Sequence, residues 1–132
     1  MAESKPIVVD NGDTPETWFR EGCHITEWLN RADSPDASIA RARVEPGATT
    51  RWHALRGVVE RYLVLEGGGR VELGDGTQAM LRVGDAVVIP AGLAQRIHNP
   101  GDSGLVFLAI CTPRFTPDCY CEIDPTDDSP GS

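Results

Sequence analysis

Lysine is almost missing from this chain of 132 residues: Lys5 is the only one, and the other basic residues are scattered arginines. Acidic residues outnumber basic ones, 20 to 12, and the formal net charge is −8. A protein that binds phosphate backbones needs clustered Lys and Arg, whereas an acidic chain repels a polyanion. We therefore expect neither nucleic acid nor a membrane surface among its partners.

Long apolar runs are also missing, since no stretch of 18 apolar residues occurs that could span a bilayer as a helix. Residues 1–13 lack the charged start and the apolar core of a secretory signal. The cysteines, at positions 23, 111, 119 and 121, form no C-x-x-C pair and no zinc-ligand spacing. We expect a cytoplasmic protein with reduced thiols, although Cys119 and Cys121 leave open an incidental metal or oxidation site.

Three common catalytic signatures are not found. The chain has no phosphate-binding G-x-x-x-x-G-K-[ST] loop, no G-x-S-x-G nucleophile elbow and no Cys/His nucleophile pair. Nucleotide hydrolysis and serine or cysteine acyl transfer are therefore poorly supported.

The pattern that is present is typical of short β-strands. No segment keeps a helical period for more than two turns, and 14 Gly and 10 Pro punctuate the chain. Alternating segments bounded by turn formers predict strands at 22–29, from 37 onward, and at 48–54, 59–65, 69–74, 78–83, 85–89, 94–98 and 104–111. Many short strands with Gly-rich turns favour an all-β sandwich or jelly-roll barrel.

The length fits one domain. We expect residues 1–20 to form a flexible N-terminal arm, residues 21–118 the β-barrel domain, and residues 119–132 a C-terminal tail with a disordered, acidic and Pro-rich end.

One predicted hairpin carries a possible site. Residues two apart on a strand share a face, so Arg51, His53 and Leu55 should point the same way, and Glu60 and Tyr62 should share a face on the returning strand. If the hairpin folds with His53 inward, Glu60 can lie beside it. An imidazole next to a carboxylate is the beginning of a metal site.

The spacing of these residues resembles the two motifs of the cupin superfamily, in particular its small single-domain, bacterial-type, conserved-barrel members. The motifs are G-x5-H-x-H-x(3-4)-E-x6-G and G-x5-P-x-G-x2-H-x3-N. Leu55 stands where the first motif has its second His, and Gln95 stands where the second motif has its His. The other eight positions match: Gly47, His53, Glu60, Gly67, Gly84, Pro90, Gly92 and Asn99. The resemblance implies a cupin jelly roll (a double-stranded β-helix) of two antiparallel sheets around a pocket.

The resemblance also implies a metal centre. The corresponding ligands here are His53, Glu60 and Gln95, which would hold a divalent Fe, Mn, Ni, Co or Zn ion, while Leu55 can bind nothing. Two alternatives stay open at this point. The three polar residues could line a metal-free ligand pocket, or they could form a structural cluster in which Arg51 or Arg96 pairs with Glu60.

The function implied by the resemblance is that of a metal-dependent enzyme acting on a small organic molecule, as a dioxygenase, isomerase, dehydratase or lyase. Catalytic residues are not identified, with Glu60 and Tyr62 as candidates and Arg51, Leu55 and Tyr62 as substrate contacts. The alternative is a metal-free cupin that binds or senses a small molecule without catalysis.

The resemblance also implies a homodimer, since small cupins are often homodimers. Aromatic side chains are enriched at interfaces, so we expect the tryptophans to contribute to the dimer interface: Trp18, Trp28 and Trp52.

Overall fold

The computed structural model describes residues 5–123, and within them the chain is almost entirely β-structure, as predicted. The strands are β1 (Thr17–Phe19), β2 (Cys23–Arg31), β3 (Ser34–Val44), β4 (His53–Leu55), β5 (Val59–Glu66), β6 (Gly68–Leu73), β7 (Gln78–Arg82), β8 (Ala86–Ile89), β9 (Gln95–His98), β10 (Leu105–Thr112) and β11 (Tyr120–Glu122). A short 3-10 helix, Pro117–Cys119, precedes β11. The described residues form no helix long and apolar enough to cross a membrane.

The strands form two antiparallel sheets, which confirms the predicted jelly-roll architecture. One sheet has the order β1-β2-β3-β10-β5-β8 and the other has the order β11-β4-β9-β6-β7. Among the described strands, no hydrogen-bonded ladder joins the two sheets into a closed barrel. The sheets are therefore the two walls of a sandwich, and the chain crosses between them after β3, β4, β5, β7, β8, β9 and β10.

The core fills the space between the sheets. Tyr62 and Phe107 contribute from the six-stranded sheet, with ring centroids 4.5 Å apart, and Val71 and Ile97 contribute from the other. The alternation along β5 explains this arrangement, because Glu60, Tyr62 and Val64 are buried while the odd-numbered residues between and beside them are partly or fully exposed. One even position on this inward face is Glu60, so the strand carries a carboxylate into the core.

The predicted strand at 48–54 is wrong over most of its length. Only His53–Leu55 forms a strand, and Thr49 makes a single isolated bridge to His98. The reason lies in the hydrogen bonds of the backbone, since the N–H of Arg51 donates to the carbonyl of Glu21 at 2.7 Å, outside the ladder. Simple alternation therefore does not apply between residues 51 and 53.

Both ends of the described chain join the sheets. β1 lies within residues 1–20 and pairs with β2, and β11 lies within residues 119–132 and pairs with β4. The end of the tail that was predicted to be disordered lies outside the described residues.

Candidate functional site

A cavity of about 130 Å3 lies between the two sheets, beside the short strand β4. Its walls are mostly apolar and include the rings of Phe19, Tyr62, Phe107 and Phe115. The acidic and histidine side chains at its surface are three carboxylates and one imidazole: Glu21, Glu27, Glu60 and His53. A small apolar space with a few convergent polar groups is the usual form of a small-molecule site.

His53 is the first residue of β4 and is only 1% exposed. Its Nδ1 lies 2.7 Å from the carbonyl oxygen of Arg51. Because a carbonyl oxygen can only accept, Nδ1 carries a proton, and in the neutral ring the lone pair is on Nε2. The ring stacks on Tyr120 with centroids 5.3 Å apart, and Nε2 lies 3.6 Å from Oε2 of Glu21.

Glu60 approaches the cavity from the opposite sheet. It pairs across the ladder with Cys111 of β10, whose Sγ donates to Oε2 at 3.8 Å. Its other oxygen, Oε1, is buried and has no hydrogen-bond partner among the described residues. Burial raises the pKa of Glu60 to about 7, with help from the negative charge of Glu21, while His53 opposes the rise.

Tyr62 and Gln95 form a hydrogen-bonded pair in the core, and the side chain of Gln95 also lies close enough to Glu60 to oppose the rise in its pKa. The Tyr62 hydroxyl donates to Oε1 of Gln95, and both side chains are almost fully buried. Burial raises the pKa of Tyr62 well above its ordinary value, so it stays a neutral donor. Gln95 pairs with His53 in the ladder between β4 and β9, but it does not line the cavity.

The predicted metal set does not fit this arrangement. The amide oxygen of Gln95 is occupied by Tyr62, which leaves His53 Nε2 and Glu60 Oε1 as the free donors of the set. Catalytic metal sites usually have three protein ligands, and Leu55 supplies none. Among residues 5–123, no group of three or more His, Cys, Asp or Glu side chains is placed to hold a metal ion.

The predicted substrate contacts divide into two groups. Tyr62 and Leu55 line the cavity, and Leu55 is buried opposite Tyr120 of β11. Arg51 does not line it: its guanidinium is exposed and bonds Glu122 at 3.1 Å. The irregular backbone before β4 is the physical reason, because it turns the side chain of Arg51 away from the face of His53.

Arg96 also lies away from Glu60. It bonds Glu72 at 2.6 Å and covers the ring of Trp52 at 4.5 Å from its centroid. The suggested pairing of Glu60 with Arg51 or Arg96 is therefore wrong.

Glu21 is the site residue that sequence reasoning missed. It lies in the turn between β1 and β2, next to Gly22, whose φ of 106° requires glycine or severe strain. The turn is tied to the strand β4 region by the bond from the Arg51 amide, which brings Glu21 beside His53. A turn residue has no alternating pattern and belongs to neither motif, so the sequence contained no signal for it.

A family model described as "Cupin domain" matches residues 40–111. Similar solved structures include a predicted oxalate decarboxylase from Thermotoga maritima, with a TM-score of 0.72 and 23% identity over 81% of this chain and 99% of that one. KdgF from Halomonas sp. has a TM-score of 0.72 and 19% identity over 84% and 96% of the two chains.

A third similar structure is Pac13, described as a unique nucleoside dehydratase, with a TM-score of 0.73 and 14% identity over 90% of this chain and 92% of that one. Three variants of Streptomyces Pac13, each solved with uridine, are similar to the same degree. Identities this low establish the shared fold alone. No curated protein matches the chain in sequence.

Proposed function

We propose a function for this chain, which belongs to the cupin family because the domain match covers residues 40–111. The chain binds a small organic molecule in the cavity and transfers a proton to or from it without a resident metal. One observation carries the proposal. Glu60 has a buried carboxylate oxygen without a hydrogen-bond partner among the described residues, and it lines the same cavity as His53, which lies on the opposite sheet.

The two side chains suit proton transfer near neutral pH. The pKa of Glu60 is about 7, so both its protonated and its ionised forms are available there. The bond from Nδ1 of His53 to the Arg51 carbonyl fixes the ring, and the lone pair on Nε2 can take a proton. Groups held in place in this way need no reorganisation when a substrate arrives.

The reaction classes that fit are dehydration and double-bond isomerisation. In a dehydration, the ionised carboxylate of Glu60 takes the proton from a carbon next to a carbonyl group, and protonated His53 gives the proton on Nε2 to the departing hydroxyl, which leaves as water. In an isomerisation, the same pair removes a proton at one carbon and returns one at another. Similarity to a nucleoside dehydratase supports the first class, since the two proteins share the fold that carries the chemistry there.

The metal-dependent alternative retains two donors, His53 Nε2 and Glu60 Oε1. This alternative differs from the proposal in that its activity would require an added metal ion. The non-catalytic alternative, a pocket that only binds, is distinguished by tight binding without turnover.

Proton transfer can be detected without knowing the natural substrate. We would incubate the protein with small β-hydroxy carbonyl compounds, with and without an amino group, in D2O containing EDTA. Loss of the α-proton signal or appearance of a vinyl signal in 1H NMR reports the reaction. We expect exchange or elimination with the wild type, and a loss of about a hundredfold or more in Glu60→Gln and in His53→Gln.

The matched control is Glu66→Gln, which makes the same substitution at an exposed glutamate outside the cavity. It should keep full activity. Activity that appears only with added metal ions, or that survives Glu60→Gln, would overturn the proposal. Binding without exchange of any compound would favour the non-catalytic alternative.

A further inference from the structure

The acids of the cavity differ from several acids elsewhere in how their charge is balanced. Outside the cavity, acidic side chains pair with arginine, as the partly exposed Glu16 does with Arg43 at 2.8 Å and the buried Glu72 does with Arg96 at 2.6 Å. Within residues 5–123, neither Glu21 nor Glu60 forms an ion pair with Lys or Arg. Lys and Arg are also missing from the described residues that line the cavity.

Glu60 is the group that most needs a partner. It lines the cavity, it is 8% exposed, and its Oε1 is buried without a hydrogen bond among the described residues. An unpartnered buried carboxylate is costly, and the cost falls when an N–H donor with positive charge lies against it. His53 lies across the cavity from Glu60, but its Nε2 is 3.6 Å from Oε2 of Glu21. The imidazole is therefore closer to Glu21, whose side chain is 15% exposed, than to Glu60.

The apolar part of the wall suits the same ligand. Phe19, Tyr62, Phe107 and Phe115 all border the cavity. Aromatic faces attract organic cations, and the attraction grows where water is displaced. A cavity of about 130 Å3 is close to the ~150 Å3 of an engineered apolar cavity that holds benzene, so a ligand of about one ring fits.

An anionic ligand would meet the opposite conditions. Glu21 and Glu27 line the cavity with negative charge, and no basic side chain at its described surface could balance a carboxylate or a phosphate. Like charges a few ångströms apart in a partly buried site repel by several kcal/mol, on the order of the 4 kcal/mol that Coulomb's law gives at 4 Å near a protein surface.

From this charge and shape we infer that the substrate of the cavity is a small organic cation, an amine or ammonium compound of about one ring, whose nitrogen lies between Glu60 and Glu21. The inference rests on the proposed function, because it names the ligand class of the same pocket. The protonated nitrogen would donate to Oε1 of Glu60, and the apolar part would pack on the aromatic wall.

Three probes of one shape test the inference: benzylammonium, benzyl alcohol and benzoate. Isothermal titration calorimetry of the full chain, in buffer with EDTA at about pH 8, compares their dissociation constants. We expect benzylammonium to bind on the order of tenfold more tightly than benzyl alcohol, and benzoate to bind more weakly than either.

Two variants and one control locate the effect. Glu60→Gln and Glu21→Gln should each reduce the preference for benzylammonium over benzyl alcohol by severalfold, and Glu66→Gln should leave it unchanged. Far-ultraviolet circular dichroism checks that each variant is folded. The half-buried Glu21 offers a second test if Glu60→Gln does not fold.

The two proposals fail in different ways. If benzyl alcohol or benzoate binds as tightly as benzylammonium, or if both cavity variants keep the preference, the cation inference is wrong while the small-molecule pocket stands. If none of the three probes binds to the folded wild type, the pocket itself is wrong and both proposals fall.

Discussion

Two buried tyrosines next to the site differ in what their hydroxyl groups meet. The hydroxyl of Tyr62 donates to Gln95, whereas the hydroxyl of Tyr120 is buried without a partner among the described residues. Removing half of a buried hydrogen bond costs about 1–3 kcal/mol, while removing an unpartnered hydroxyl costs little or stabilises.

We therefore predict opposite outcomes for the same substitution. Tyr62→Phe should lower the free energy of unfolding by about 1–3 kcal/mol, and Tyr120→Phe should leave it unchanged or raise it. Urea unfolding followed by circular dichroism measures both. Equal losses in the two variants would mean that Tyr120 has a partner in solution.

Glu60 makes stability depend on pH in an unusual direction. Its pKa rises from 4.5 to about 7 on folding, so between these values the folded state binds more protons than the unfolded state. Stability contributed by the protonated form is therefore present below about pH 4.5 and is lost as the pH rises through 7. At about 1.4 kcal/mol per pKa unit, the loss amounts to about 3 kcal/mol.

Glu60→Gln should remove this part of the pH dependence. We predict that the free energy of unfolding of the wild type falls more steeply between about pH 5 and 8 than that of the variant, as measured by urea unfolding at several pH values. Parallel curves for the two proteins would show that folding does not raise the pKa of the Glu60 carboxyl group.

At the scale of single residues, the sequence was informative where a motif or an alternating strand applied. His53 and Glu60 stand at motif positions and both line the cavity. Gln95 also stands at a motif position, but the bond from Tyr62, 33 residues earlier, could not be seen in the sequence. Glu21 was missed and Arg51 was misplaced, because both lie in irregular backbone, where the direction of a side chain depends on tertiary hydrogen bonds.

The turns between strands provide a test at the scale of elements. Gly67 ends β5 with a φ of 72°, and a Cβ there would lie 2.7 Å from the carbonyl oxygen of Gly104. Gly57 has nearly the same φ, 73°, in the turn before β5, but a Cβ there would meet nothing within 4 Å. Both turns share the left-handed strain, and only one adds a backbone clash.

Gly67→Ala should therefore destabilise the protein more than Gly57→Ala does. We expect a loss of about 1 kcal/mol at Gly57, from strain alone, and at least twice that at Gly67. Thermal unfolding by differential scanning calorimetry gives the comparison. Equal shifts in Tm would mean that the loop carrying Gly104 can move aside freely.

At the same scale, most predicted strands lie within a residue or two of the observed ones, because turn glycines and prolines mark their ends. The predicted strand at 48–54 is the clearest exception. Its residues alternate suitably, yet the amides of Thr50 and Arg51 bond Ile97 and Glu21 on two different elements, which keeps the segment out of a regular ladder.

At the scale of the whole molecule, the homodimer implied by the family resemblance stays a prediction. Trp18 is 62% exposed on β1, an edge strand, and is the tryptophan most available for an interface. We expect size-exclusion chromatography with light scattering to give a dimer mass, and Trp18→Ser to shift the protein toward the monomer. A wild-type monomer at all concentrations would contradict the dimer.

The central claim concerns the whole protein as purified: the pocket works without a resident metal. The measurement that tests it most directly is elemental mass spectrometry of untagged protein after incubation with excess divalent Fe, Mn, Ni, Co and Zn and removal of unbound ions. His53→Ala is measured in parallel. We predict far less than stoichiometric metal in both proteins, because Gln95 is bonded to Tyr62 and Leu55 offers no donor. Stoichiometric metal in the wild type that is lost in His53→Ala would contradict the claim and restore the metal centre implied by the family motif.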